Sequence, residues 1–111
     1  MFSGFPTSYS LPERAVEKML VEGVKRVGGL CWKWVSPGRA GVPDRIVIVK
    51  SAVWFVEVKA SGGKERPLQK AVRSMLEKVG AKCRVVIGAD GVEEFLDEVA
   101  RVSESGGESG G

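Results

Sequence analysis

Two short apolar runs, RIVIV at 45–49 and VWFVEV at 53–58, stand three residues apart and do more than any other feature to limit what this chain can become. Both are rich in β-branched and aromatic residues, which lose side-chain freedom in a helix but pack well on a pleated surface. Lys50-Ser51-Ala52 between them is turn-like, so the two runs are expected to pair as an antiparallel hairpin. A hairpin alone is marginal in water, so the remaining chain must add strands and cover one face. The hairpin also carries an anomaly. Asp44 opens it and Glu57 lies inside it, where nearly every neighbour is apolar.

The flanking sequence supplies what the hairpin lacks. Ser10 is placed to cap a helix from about 11, with Glu13 three residues on as in a capping box, and Val16, Leu20, Val24 and Val27 recur at helical spacing up to Gly28-Gly29. LCWKWV at 30–35 reads as a strand between Gly-Gly and Ser-Pro-Gly. After the hairpin, a Gly-rich basic loop (61–66) leads to a helix over about 67–79, and KCRVVIG (82–88) follows as a strand. Asp90 is placed to cap a last helix with Val92, Phe95, Leu96, Val99 and Val102 on its apolar stripe. The order α-β-β-β-α-β-α predicts an α/β fold, a mixed (α+β) sheet flanked by helices, with the third and fourth strands joined by a right-handed crossover. Residues 1–10 are expected to form a loose arm, 11–102 a single domain, and 103–111 a disordered tail of Ser, Gly and Glu.

With 111 residues there is room for one core and no second domain. Histidine is missing altogether, which removes the usual general base, the usual zinc ligand and every Ser-His or Cys-His nucleophile pair. Cys31 and Cys83 have no paired spacing and read as small apolar residues in strands. Any catalysis therefore has to run on carboxylates and lysines, with or without a hard metal ion. The formal charge of +3 is compatible with a polyanionic partner without demanding one. No apolar run approaches a membrane span and no export signal is legible, so the expected compartment is the cytoplasm, that of the host cell if the chain is phage-encoded.

Alternation along the second hairpin strand puts Phe55, Glu57 and Lys59 on one face and Trp54, Val56 and Val58 on the other. A hairpin turning about Ser51 sets Asp44 opposite Val58 and diagonally beside Glu57 and Lys59. Two carboxylates that close raise one another's pKa unless a cation lies between them. Magnesium or manganese would resolve the conflict, taking carboxylate and carbonyl oxygens with several waters and stabilising charge on a phosphate under attack. The plain alternative is a structural Asp-Lys-Glu network on a sheet face.

GVPD ahead of a strand, then EVK, resembles the PD-(D/E)xK nuclease core. The wider pattern GG…K…SPG…GVPDR…FVEVKA…RPLQ resembles the VRR-NUC branch of that superfamily, from about Glu13 to Ile87, as in small stand-alone, phage-type members. The resemblance implies Asp44 and Glu57 as metal-binding carboxylates, the Val58 carbonyl as a further ligand and Lys59 as the catalytic lysine. It also implies an acid from the first helix, for which Glu17 matches best with Glu13 as rival, and a glutamine beside the site, Gln69. Taken singly, Glu17 also reads as a solvated helix residue and Gln69 as an ordinary first-turn residue. Pro43 would fix entry into the strand and Gly41 would permit close approach.

Arg39, Arg45, Lys64, Arg66 and Lys70 flank the site in sequence as a DNA-backbone surface, and Lys33, facing away from Trp32 and Trp34, is a further candidate. The function expected is a magnesium- or manganese-dependent DNA endonuclease acting on Holliday-junction or other branched DNA, as a homodimer. A nuclease of repair or restriction type acting on ends or flaps is the alternative within the class, and a DNA-binding module that does not cut is the alternative outside it.

Overall fold

The computed structural model describes residues 10–109, with side chains through Arg101. Of the expected arm, 1–10, residues 1–9 lie outside the described residues. The elements run α1 (Glu13–Arg26), β1 (Leu30–Lys33), β2 (Arg45–Val49), β3 (Ala52–Lys59), α2 (Pro67–Lys78), β4 (Lys82–Ile87) and α3 (Gly88–Ser109), the expected order. They build one four-stranded sheet, β1-β2-β3-β4, antiparallel except for β3 and β4, which run parallel and are joined through α2.

One face of the sheet is covered by α1 and α3. Val16, Leu20 and Val24 of α1, Val47 and Val49 of β2, Trp54, Val56 and Val58 of β3, Val86 of β4, and Val92, Phe95 and Val99 of α3 form one buried cluster. Trp54 meets Phe95 edge-on, ring centroids 5.7 Å apart, at the centre of this layer. Burying a dozen apolar side chains at about 1.5–3 kcal/mol each is what fixes the face, and hence which residues of β3 point away from it. Phe55, Glu57 and Lys59 do, as the alternation requires. Cys83 is buried in β4, while Cys31 in β1 is half-buried, and burial raises both thiols, Cys31 to about 11, so neither is a ready nucleophile.

Four local expectations are corrected. The α1 N-cap is Pro12 with no side-chain cap bond; its carbonyl receives the Ala15 and Val16 amides. Ser10 is exposed, because the backbone of Leu11 is already committed elsewhere: its N–H donates to Ser61 Oγ (3.0 Å) and its carbonyl accepts the Ser61 N–H (3.1 Å). Asp90 does not cap α3, which starts two residues earlier at Gly88; there a φ of +67° is adopted where any side chain would press on Ser61. Asp90 falls in the first turn, where its charge still favours the helix dipole. At the other end, α3 continues to Ser109, past Val102.

The fourth correction matters most for function. The hairpin closes through Lys50 and Ser51 alone, with Val49 opposite Ala52 and Arg45 opposite Val56. Lys50 takes φ +53°, which gives a two-residue loop the twist its strands need. The register is thus one residue shorter than expected, and its next step sets Asp44 opposite Glu57 rather than Val58. Both side chains then share the face away from α1 and α3.

Gly41, in the loop before Asp44, sits at φ +87° against α2. A Cβ there would lie 2.8 Å from Leu68 Cγ and 3.2 Å from the Leu68 carbonyl oxygen. Gly41→Ala therefore combines a left-handed penalty with a backbone clash, and should lower stability by about 1–3 kcal/mol, read as a drop in thermal midpoint of several degrees.

Candidate active site

β3 supplies two of the central side chains and the turn into β2 supplies the third. Glu57 and Lys59 are only 4% and 8% exposed. Lys59 Nζ lies 3.7 Å from Glu57 Oε2. Asp44 Oδ2 accepts the Val58 N–H at 2.8 Å, extending the pairing of β2 and β3 beyond the last ladder residues and leaving its other oxygen uncommitted to that bond. Glu57 Oε2 also accepts from Gln69 Nε2 at 2.5 Å, while Gln69 Oε1 accepts the Arg66 N–H at 2.8 Å. Gln69 therefore does both jobs considered for it: it satisfies an orphan amide at the start of α2 and holds Glu57.

Burial pushes the Glu57 carboxyl up to about 7, the charge of Asp44 pushes in the same direction, and Lys59 only partly offsets them. Without a cation beside it, the Glu57 carboxyl keeps its proton far above the usual carboxylate range. The donor set is all oxygen, which fits magnesium or manganese: Asp44 and Glu57, the backbone at Val58, and water. Among the described residues no group of three His, Cys, Asp or Glu side chains is arranged to hold an ion.

The two helix-one acids are placed differently. Glu17 Oε2 accepts from Arg45 Nε at 2.7 Å, and Arg45 also donates to the Cys31 carbonyl. This pair lies on the α1 side of the sheet, since Arg45 is opposite Val56 of the core. Glu17 and Arg45 are thereby engaged with one another rather than with Glu57. Glu13, exposed at the start of α1, is the helix-one acid whose charge reaches Glu57.

The basic residues divide likewise. Lys33 is opposite Arg45 and shares its face, away from Glu57, so it does not join the carboxylates. Arg39, Lys64, Arg66 and Lys70 are exposed in the loops and first turn around the site. Arg73 holds the basic loop in place, donating to both oxygens of Glu65 at 2.8 and 3.0 Å and depressing its carboxyl below the usual range.

Two features were not singled out from sequence. Ser61 ties the exit of β3 to the entrance of α1, bringing Glu13 toward the site. Trp34, next to Asp44 across β1 and β2 and bonded to its carbonyl through the backbone (2.9 Å), stacks obliquely on Phe55 with centroids 5.1 Å apart. Alternation in LCWKWV, carried across the sheet, is the signal that would have placed Trp32 and Trp34 on the Glu57 face.

No protein-family model matches the sequence. A solved structure described as "VRR_NUC domain" matches with a TM-score of 0.71 and 34% identity, covering 77% of this chain and 94% of that one. The fold is therefore that of a nuclease domain. The curated protein "Putative nuclease p44" of Acyrthosiphon pisum secondary endosymbiont phage 1 is 42% identical over 79 residues, 70% of this chain and 85% of its own length. The chain belongs to the VRR-NUC family.

The raised Glu57 carboxyl has a thermodynamic consequence. The folded state keeps a proton that the unfolded state releases near 4.5, so stability falls as pH rises from about 4.5 to about 7, by up to about 3 kcal/mol. Glu65 and Glu98, held low by Arg73 and Arg84, act in the opposite sense but below about 4.5. Melting in EDTA should show a midpoint lower at pH 8 than at pH 5 by roughly 10 °C. Glu57→Gln should flatten the profile, and magnesium or manganese should raise the pH 8 midpoint.

Proposed function

We propose that this VRR-NUC protein is a divalent-metal-dependent DNA endonuclease, selective for branched DNA such as four-way junctions. The observation that carries the reading is the convergence of Asp44, Glu57 and Lys59 on one sheet face, with Glu57 held by Gln69. A structural ion-pair network would bring opposite charges into balance. This one leaves two carboxylates against one lysine and makes ionisation of Glu57 costly, which suits a site completed by a cation.

Asp44, Glu57 and the Val58 backbone would hold the ion. Magnesium or manganese there would supply Lewis-acid stabilisation of phosphate charge and a more acidic water. The chain's own groups then have separate tasks. The Val58 amide and the Gln69 amide each fix one carboxylate oxygen, so that Asp44 and Glu57 present their remaining oxygens without reorganisation. Lys59, buried beside Glu57, keeps its ammonium near the reacting phosphate, where it orients the attacking water and offsets charge in the transition state. Arg39, Lys64, Arg66 and Lys70 contact backbone phosphates, a contribution that weakens with salt. Shape rather than base sequence is recognised, and a homodimer acting in the host-cell cytoplasm would present two such sites to a four-way junction.

Purified protein incubated with four-way junction, flap, single-stranded and linear duplex DNA should cleave with magnesium or manganese and not with EDTA, the junction fastest. Lys59→Ala should slow cleavage by roughly 100-fold or more. Asp44→Asn should abolish cleavage while DNA binding is kept or strengthened, since a carboxylate that repels phosphate is gone. Turnover in EDTA, or an unchanged rate in Lys59→Ala, contradicts the mechanism. Binding without cleavage under every metal condition would make the chain a DNA-binding module, and light scattering reads the dimer directly.

A further inference from the structure

The sheet face that carries Asp44 and Glu57 is only partly covered. α2 lies against β4, and Glu57 receives Gln69, but among the described residues the β1 and β2 side of the same face is left open. By the register, Trp34, Asp44 and Glu57 form one row across three strands; Trp32, Ile46 and Phe55 form the next; Leu30, Ile48 and Val53 form a third. Trp32 is 61% exposed, the most exposed of the aromatic side chains in these rows. Trp34 and Phe55 brace each other directly behind it. The charged residues of β1 and β2, Lys33 and Arg45, both lie on the opposite face, so this surface carries no charge of its own beyond the catalytic row.

We propose that this aromatic surface is a stacking platform for unpaired bases of the DNA strand whose phosphate lies at Asp44, Glu57 and Lys59. The inference rests on the nuclease reading of that site and narrows its substrate to branched DNA, four-way junctions included, whose bases unpair at the branch beside the scissile bond. A strand held at the carboxylates and running along β2 crosses this face, because the aromatic rows adjoin the Asp44–Glu57 row. Rows repeat every two residues, about 6.5–7 Å, close to the spacing of successive nucleotides in an extended strand, and neighbouring strands lie about 4.8 Å apart. Trp34 and then Trp32 are thus within one to three nucleotides of the reacting phosphate. Every base has a π-face, so an aromatic platform binds unpaired bases with little regard to sequence, which matches the lack of a base-reading element. A duplex keeps its bases stacked on one another and offers no face to Trp32.

A second copy of the chain is the competing occupant. The side chains that remain well exposed here, Leu30, Trp32 and Val53, leave roughly 300–400 Å² open, well short of the ~800 Å² each partner contributes to a standard stable interface. That amount suits one or two bases better than a partner protein.

The test measures binding in EDTA by fluorescence anisotropy, with the full chain, a labelled single-stranded oligothymidine and a blunt hairpin duplex, alongside quenching of tryptophan emission and light scattering. Trp32→Ala should lose roughly tenfold in affinity for the single strand and less than twofold for the duplex, with molar mass unchanged. Trp32→Phe should restore most of the binding, because it returns a ring. Equal loss on both DNAs, no loss on either, or a dimer that falls to monomer in Trp32→Ala would overturn the proposal, the last by making the face an interface between copies. Cleavage with metal that does not depend on Trp32 would sink the platform and leave the nuclease standing. Trp32-dependent single-strand binding without cleavage under any metal would sink the nuclease and leave the platform standing.

Discussion

The bond from the Val58 amide to Asp44 Oδ2 is the constraint on which the site depends. β2 begins at Arg45, one residue too late to include Asp44 in its ladder, so the side chain completes the pairing that the backbone leaves open. A carboxylate is thereby held against the strand that carries Glu57 and Lys59, despite repulsion from Glu57. The arrangement is stable because the opposite face of β3 is fixed by the core: Trp54, Val56 and Val58 are buried under α1 and α3, which leaves Glu57 and Lys59 no other direction to face. Apolar burial on one side thus sets electrostatics on the other.

Much of this was legible in the sequence, and for identifiable reasons. Alternation in VWFVEVK assigns faces without any knowledge of partners, so Glu57 and Lys59 were placed together correctly. Helices α1 and α2 announce themselves through apolar spacing and through Gly-Gly and Pro at their ends. The hairpin register was less accessible, because it turns on a lysine adopting a positive φ, a state that residue identity disfavours and that only the pull of both strands enforces. One residue of slip moved the expected partner of Asp44 from Val58 to Glu57.

The choice between Glu13 and Glu17 shows a different limit. Both lie on neighbouring turns of one helix face, and spacing alone cannot separate them. What separates them is Arg45, from a strand distant in sequence, which takes up Glu17 on the core side of the sheet. Ser10 and Asp90 failed as caps for a related reason: at both helix starts the backbone is set by a tertiary contact at Ser61, and local capping preference had nothing left to decide. Lys33 faces away from its tryptophans as expected, but which side of the sheet it takes was not legible, because a four-residue edge strand does not declare which of its faces meets the helices.

The Ser61 contact also has a bearing on how such a domain can vary. Leu11 and Ser61 clasp through two hydrogen bonds, and Arg73 secures Glu65 a few residues later. The ends of the basic loop are thus pinned independently of Lys64 between them, which is exposed. Segments moored at both ends tolerate insertion and substitution at their tips at little thermodynamic cost. Within 62–64 the freedom is concentrated at Lys64: Gly62 holds a φ of +77° and a side chain at Gly63 would press on Ala60 and Lys59, so length and charge can change beside Lys64 while the carboxylates and lysine keep their positions.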